Sequence, residues 1–475
     1  MKNSGLMKKA ICILLAGMMV AQTGCSATKQ SSVEMMEQEE IAKYSLDFIG
    51  GSDVMPLMAY YGPDNMIESY NANDRPDYLT DEIFQKMADA GINMMARSSL
   101  DFKYNPDKVY KMLELGEKYN IAITITDSRI VDDATGRVQV QSIDQLDEYL
   151  CDYIEYPACA GVFVVDEPGQ EGFQVNNPDD PILISDFKDI YAMFNELNVY
   201  AFGNLLPNLS QTREKYELYV QEWVETAKLP YLMFDRYPFD ANQGLAFAAP
   251  WFETMTVIRQ EAEKAGVPFF SSIQAGAQWN DGLQRFDSNG YFPAKGEFMW
   301  NVGASLAFGA KGLNYFPLIQ PIYFAYAEST LFDFQRNGIL GAWGNKTRWY
   351  YYAQEMNKQI AAADHVLMNS VNKGVIASGK EANSHLKGNQ YLIEGTSWRE
   401  LSDVKGDALI GCFNYLGKTA LYVVNYDTEY AQNITLDFID SCSVSVIQNA
   451  EEKKVTTDSL ELTFSPGNSA LIVFE

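Results

Sequence analysis

Histidine is almost missing from this 475-residue chain, with only His365 and His385 present. A histidine-ligated zinc site or a serine–histidine triad therefore has little to be built from. Basic residues are also scarce, 36 Lys and Arg against 63 Asp and Glu, for a formal charge of −27. Such a surface repels phosphate backbones and argues against a nucleic-acid partner, leaving neutral or cationic small substrates. No Gly-x-x-x-x-Gly-Lys-Ser/Thr loop offers a phosphate cradle. A calcium or magnesium site built from oxygen ligands stays open, but nothing specifies one, and no cofactor is expected. No biased tract points to disorder, and 47% hydrophobic residues supply ample core.

The apolar run from Ala10 to Ala21, preceded by Lys8 and Lys9, is too short to span a bilayer and reads as a signal peptide. It ends at Thr23-Gly24-Cys25-Ser26, which resembles a bacterial lipobox, with Gln22 where Leu is usual. On that reading residues 1–24 are removed, Cys25 is lipidated, and residues 25–50 form a polar tether. The chain is then expected to be exported and held at the bacterial membrane or cell surface. Of the remaining cysteines, Cys151 and Cys159 fall in one expected helical segment, roughly 12 Å apart by helical rise and out of disulfide reach. Cys412 and Cys442 leave a pairing open.

From Val54 to about Met368, short apolar runs alternate with amphipathic helical segments. Strands are expected at 55–61, 92–98, 122–127, 161–167, 200–206, 231–237, 268–274 and 313–317, and helices at 80–90, 106–119 and 143–156 among others. Thr80-Asp81-Glu82 reads as a helix start, and Gly91, Gly266 and Gly312 as helix stops. Eight β/α units predict a (β/α)8 TIM barrel over residues 51–369. Beyond residue 370, alternating runs such as Ala420–Val424 and Ser469–Phe474 predict a small antiparallel, sandwich-like β domain over 370–475.

In such a barrel, functional side chains gather where strands end. The sharpest element is Gly161-Val162-Phe163-Val164-Val165-Asp166-Glu167-Pro168, a buried strand delivering two carboxyls to a loop. Strand alternation predicts that one of the two faces the mouth. Glycosidic bond cleavage needs one carboxylic acid to protonate the leaving oxygen and a second carboxylate to stabilise, attack or activate water. Glu167 is the candidate acid, with Asp166 beside it. The bland alternative is helix capping, or pairing with Arg97 or Arg129. Asp235 is the candidate second carboxylate, a base in an inverting scheme with the carboxyls roughly 6.5–9.5 Å apart, against an ordinary ion pair with Arg236 or a solvated loop. Glu297 is a third, against first-turn helix stabilisation. Tyr60, Tyr61, Tyr237, Trp279, Tyr315 and Phe316 offer flat apolar surface for a sugar ring. Arg97, Asp127, Asn204, Gln274 and Gln278 offer partners for hydroxyls.

Met58-Ala59-Tyr60-Tyr61-Gly62-Pro63, Ala90-Gly91-Ile92-Asn93, Asp166-Glu167-Pro168 and Ala307-Phe308-Gly309-Ala310-Lys311-Gly312-Leu313-Asn314-Tyr315-Phe316 together resemble retaining (β/α)8 glycoside hydrolases. The likeness is to the family 42 β-galactosidase-like group and its bacterial lipoprotein relatives. It implies a carbohydrate substrate and extracytoplasmic hydrolysis. Two departures bear on mechanism. Asp166 stands where those enzymes carry Asn, and Gln274 stands where they carry a nucleophilic Glu, a role an amide cannot fill. A glycan-binding barrel without catalysis is the alternative, and an enzyme on another polar substrate a third.

Overall fold

The computed structural model describes residues 53–63, 77–171, 181–208, 211–239, 245, 248–276, 279–280, 285–286, 293–319, 338–341 and 343–475. The leader, Cys25 and the tether lie outside them. Among the described residues, no helix is long and apolar enough to cross a membrane.

Eight strands alternate with eight helices: β1 (Leu57–Gly62), α1 (Asp81–Asp89), β2 (Met94–Ser98), α2 (Pro106–Tyr119), β3 (Ala122–Ile125), α3 (Ile143–Leu150), β4 (Cys159–Asp166), α4 (Lys188–Leu197), β5 (Ala201–Asn204), α5 (Arg213–Ala227), β6 (Leu232–Phe234), α6 (Ala248–Ala265), β7 (Phe269–Gln274), α7 (Lys295–Ala307), β8 (Gly312–Phe316) and α8 (Arg348–Met368). The strands are parallel in the order β5-β4-β3-β2-β1-β8-β7-β6. The remaining seam, between β5 and β6, is bridged at Leu205 and Phe234, with Leu205 N–H donating to the Met233 carbonyl at 2.9 Å. The result is a (β/α)8 barrel whose strand ends all open on one mouth.

Local chemistry explains the element boundaries. Thr80 Oγ accepts from Ile83 N at 3.3 Å and caps α1, whose first turn holds Asp81 and Glu82. Gly91 and Gly266 follow their helices at φ 78° and 68°, the left-handed stop that costs glycine nothing. Asn120, Asn198 and Lys228 do the same job in left-handed geometry after α2, α4 and α5. Gly312 does not: α7 stops at Ala307, Gly309 takes the positive φ, and Gly312 lies inside β8 against the Phe270 ring. The third helix also ends early, at Leu150, so Cys151 closes α3 while Cys159 opens β4. Those two thiols, with Cys412 and Cys442, are free.

The chain leaves the barrel at α8 and enters one antiparallel sheet: β9 (Ser370–Ser378), β10 (Leu401–Lys405), β11 (Ala408–Tyr415), β12 (Lys418–Asn425), β13 (Gln432–Gln448), β14 (Glu451–Phe464) and β15 (Ser469–Phe474), with a short α9 (Lys380–His385) after β9. The sheet order is β9-β11-β12-β15-β13-β10, and β14 pairs with β13. The β13–β14 ladder shifts register between Asp437 and Cys442, and β13 pairs β10 before that point and β15 after it. One bent sheet thus encloses its own apolar core, including Ile410, Leu421, Val423, Leu436 and Ile472.

Helix α7 joins the two parts. It is buried from Gly296 to Ala307, as expected of a helix with apolar or small residues on every side. On the barrel side, Asn301 accepts from Gln274 N at 3.1 Å and Ser305 Oγ donates to Ser271 Oγ at 3.0 Å. On the other side, Gly303 faces Val424, and Trp300 meets Tyr426 edge-on at 5.4 Å. Arg259 of α6 adds a polar clamp. Its guanidinium donates to Phe308 O at 3.1 Å, Asn372 Oδ1 at 2.6 Å and Asn372 O at 3.0 Å, and lies 3.6 Å from the Tyr391 ring centroid.

A Cβ on Gly411 of β11 would sit 2.3 Å from the Ala307 carbonyl oxygen, and a backbone neighbour cannot rotate aside. Gly411→Val is therefore expected to destabilise the chain by about 1–3 kcal/mol or more, read as a fall in Tm by calorimetry. An unchanged Tm would show that sheet and helix can part freely there.

Candidate active site

Strand β4 is buried along its length and ends in Asp166 at the mouth. The next residue, Glu167, has φ 49°, a left-handed conformation that costs a non-glycine residue about 1–3 kcal/mol and concentrates at functional sites. Its N–H is held by the Asn204 carbonyl of β5 at 2.9 Å. This kink cancels the strand's alternation, so both Asp166 and Glu167 line the mouth instead of one of them. Tyr61, at the end of β1, has a similar φ of 58° and also lines it.

The cleft holds about 170 Å³, bounded by Tyr60, Tyr61, Asp166, Glu167, Asn204, Asp235, Tyr237, Ser272, Asn314 and Phe316. Acids occupy the side made by β4 to β6. Glu167 donates a hydrogen bond to Asp235. Asn204 Nδ2 reaches Asp235 Oδ1 at 3.1 Å and Asp166 Oδ1 at 3.4 Å, bridging the two. Arg97 Nη1 donates to Asp166 Oδ2 at 3.2 Å and to Tyr60 OH at 3.0 Å, and its Nη2 donates to Asp133 at 2.7 Å. Its guanidinium lies over Phe163, 5.2 Å from the ring centroid. Aromatic rings face the acids: Phe316 stands 5.6 Å from Tyr61 and 5.9 Å from Tyr237, centroid to centroid.

These surroundings place a proton. Burial raises Glu167 far above the ordinary carboxyl range, and the charges of Asp235 and Asp166 and the hydrogen bond to Asp235 push the same way. Burial also raises Asp235, helped by Asp166, but hydrogen bonds from Glu167 and Asn204 hold it lower. Of two touching carboxyls only one can comfortably ionise, and here Glu167 keeps the proton. Burial, then the neighbouring acids, likewise keeps the Tyr237 phenol neutral.

Several expected site residues stand elsewhere. Asp127 is buried and accepts from Arg129 Nη2 at 2.7 Å and Tyr153 OH at 3.2 Å; it anchors a loop and does not line the cleft. Tyr315 points to the opposite face of β8, stacked on Phe298 and donating to Asn357 Oδ1. Its neighbour Phe316 is the one in the cleft, because adjacent strand residues face opposite ways. Gln274 is buried at the end of β7, while Ser272 lines the cleft. Arg97 sits behind Asp166 as its partner, the alternative weighed for that carboxylate. Arg236 Nη1 turns to the Asn208 carbonyl at 2.9 Å. Glu297 accepts from Ala294 N at 2.7 Å at the start of α7, the helix-stabilising role. Trp279 lies in a two-residue strand, Trp279–Asn280, paired with Arg285–Phe286; its side chain, like Gln278, lies outside the described residues. Ser272 and Asn314 were missed, although inward alternation on β7 and β8 marks both.

Among the described residues, no group of three or more His, Cys, Asp or Glu side chains is arranged to hold a metal ion. A larger hollow of about 340 Å³, between α6, the start of β7 and β9, lies at the other end of the barrel and is lined by Arg259, Lys311 and Tyr391.

Fold and mouth together define a (β/α)8 barrel with a protonated carboxyl pair facing aromatic rings. No protein-family model matches the sequence, and no curated protein matches it. Solved structures with a similar course include an Anoxybacillus α-amylase (9% identity, 89% of this chain and 98% of that one, TM-score 0.49). A family 51 α-L-arabinofuranosidase from Bifidobacterium longum gives 9% identity over 89% of this chain and 96% of that one, TM-score 0.46. A β-galactosidase from Halorubrum lacusprofundi gives 14% over 65% and 58%, TM-score 0.41. At these values the likeness carries no chemistry, which has to come from the side chains.

Two outcomes follow. Glu167 keeps its proton in the folded chain where an unfolded glutamate, at about 4.3, has lost it. The native state then binds more protons than the unfolded one, so this group's contribution to stability falls as pH rises. Glu167→Gln, neutral throughout and still able to donate to Asp235, is expected to melt above wild type at neutral pH. The gap should widen in alkaline buffer and close in acid; equal melting at every pH would place the proton elsewhere. Tyr315→Phe is expected to cost about 1 kcal/mol of stability through the lost Asn357 bond with ligand affinity unchanged, whereas Phe316→Ala weakens ligand binding.

Proposed function

We propose that this chain is a glycoside hydrolase acting outside the cytoplasm on an oligosaccharide or glycoside, with Glu167 as general acid and Asp235 as the carboxylate that sets its proton. The observation that carries this reading is the Glu167–Asp235 hydrogen bond inside the barrel mouth. A carboxyl kept protonated at neutral pH is what protonation of a glycosidic oxygen requires. Tyr61, Phe316 and Tyr237 supply flat surface for the apolar face of a ring, and Asn204, Asn314 and Ser272 supply hydroxyl partners. Within glycosidases we place the chain nearest the family 42 β-galactosidase-like barrels, on the motifs around Tyr60, Asp166 and Asn314. The likeness stops at the nucleophile position, where Gln274 stands. We further propose that residues 1–24 direct export, that Cys25 carries lipid, and that residues 25–50 tether the barrel to the membrane.

A panel of nitrophenyl glycosides and oligosaccharides tests the reading. Glu167→Gln is expected to lower kcat/KM by about 10²–10⁴-fold with the fold intact by circular dichroism. If nothing is cleaved while one glycan raises the Tm of both proteins equally, the barrel binds sugars without cleaving them.

A further inference from the structure

Glycosidases that work with two carboxyls hold them at roughly 5–5.5 Å for a covalent route, or roughly 6.5–9.5 Å when water attacks. The acid and its nearest carboxylate partner in this mouth, Glu167 and Asp235, stand in direct contact, closer than either spacing. The two share a side-chain hydrogen bond, and Asp166 precedes Glu167 on the same turn. All three rise from β4 and the end of β6. The facing wall, from β1, β7 and β8, presents Tyr61, Ser272, Asn314 and Phe316, with no carboxylate among the described residues.

That wall and its neighbours carry a second signal. Asn204 and Asn314 are buried to 5% and 2% exposure and line the cleft. In each, the amide nitrogen is used, by Asp166 and Asp235 for Asn204 and by Ser272 Oγ at 3.3 Å for Asn314. Both Oδ1 atoms are buried with no hydrogen-bond partner. Buried acceptors of this kind call for donors, here N–H and O–H groups of a ligand. Asp166 adds a carboxylate acceptor directly beside the acid.

We propose that the sugar taken by this cleft carries an acetamido group next to the anomeric carbon, and that this group's carbonyl oxygen, rather than a protein carboxylate, attacks that carbon. The inference rests on the glycosidase reading and narrows it to N-acetylhexosaminides. In the first step the amide oxygen bonds to the anomeric carbon from the face opposite the leaving group. The glycosidic C–O bond breaks, its electron pair stays on the leaving oxygen, and that oxygen takes the Glu167 proton. The amide N–H, whose acidity rises in the cyclic oxazolinium so formed, is held by the Asp166 carboxylate. In the second step water adds to the anomeric carbon and gives a proton to the Glu167 carboxylate, and the ring opens to restore the acetamido group. Sugar and alcohol leave, one water is consumed, and Glu167 is protonated again. Attack from the opposite face requires acetamido and leaving groups to be trans, so β-gluco and β-galacto substrates fit.

The test compares nitrophenyl β-N-acetylglucosaminide and β-N-acetylgalactosaminide with the matching β-glucoside and β-galactoside on the full-length protein. At least one acetamido substrate is expected to be cleaved with kcat/KM more than about 100-fold above its hydroxyl counterpart, since the nucleophile is held within the substrate. The thiazoline analogue of the cyclic intermediate should inhibit competitively, and Asp166→Asn should lower kcat with the melting temperature preserved. Equal cleavage of the plain hexosides, with a fluorinated hexoside leaving a covalent adduct on a carboxylate, would overturn the inference. If Glu167→Gln still abolished that cleavage, the glycosidase reading would stand. Cleavage of neither class would overturn the inference, and the glycosidase reading would fall with it only if the wider panel of glycosides and oligosaccharides were also left uncleaved.

Discussion

One proton between two carboxyls organises the mouth of this barrel. Glu167 and Asp235 come from strands separated by β5, and they meet because the barrel curves there and the β5–β6 seam is tied at Leu205 and Phe234. Two adjacent negative charges at a partly buried site would repel strongly, so the pair is stable only with a proton retained. Asn204, between them on β5, donates to Asp235 and Asp166 together, spreading the remaining charge over hydrogen bonds. Arg97 answers Asp166 from β2, across the end of β3, and its other nitrogen is used by Asp133. The left-handed turn at Glu167 is the strained element in this arrangement, and the hydrogen bond that Glu167 N–H donates to the Asn204 carbonyl holds it in place.

The second organising constraint is α7. A helix buried all round needs partners on both sides, and it finds β7 on one and the C-terminal sheet on the other. Gly296, Gly303 and Gly411 are the contact points where no side chain fits between backbones or against Val424. The sheet is therefore a packing layer for the barrel's last units, positioned behind β7 and β8, the strands that provide Ser272, Asn314 and Phe316. Its own core remains separate from the main one, and the small residues of α7 let the two cores approach closely.

The (β/α)8 architecture was legible because every strand is a short buried run and the helices between them, the fully buried α7 apart, are amphipathic. Position along the mouth was less legible, since it depends on which way a side chain turns. Tyr315 and Phe316 are equally aromatic, and only strand parity separates the one that meets Asn357 from the one that meets the cleft. Asp127 looks like Asp166 in sequence, but Arg129 and Tyr153 enclose it. Glu297 falls at the third position of a helix, where a local capping bond outcompetes any distant role.

The sequence by itself determined the repeat of strand and helix, the acidic and histidine-poor chemistry available, and the delivery of Asp166 and Glu167 to the end of a buried strand. These follow from local periodicity and from residue types. Only the tertiary structure decided that both of those carboxyls turn to the mouth, because a single left-handed residue overrides alternation. It alone brought Asp235 against Glu167, 68 positions away in the chain, because barrel closure and not local preference sets that distance. The proton on Glu167 follows from its burial in the mouth and then from that contact, and no reading of separate segments contains either.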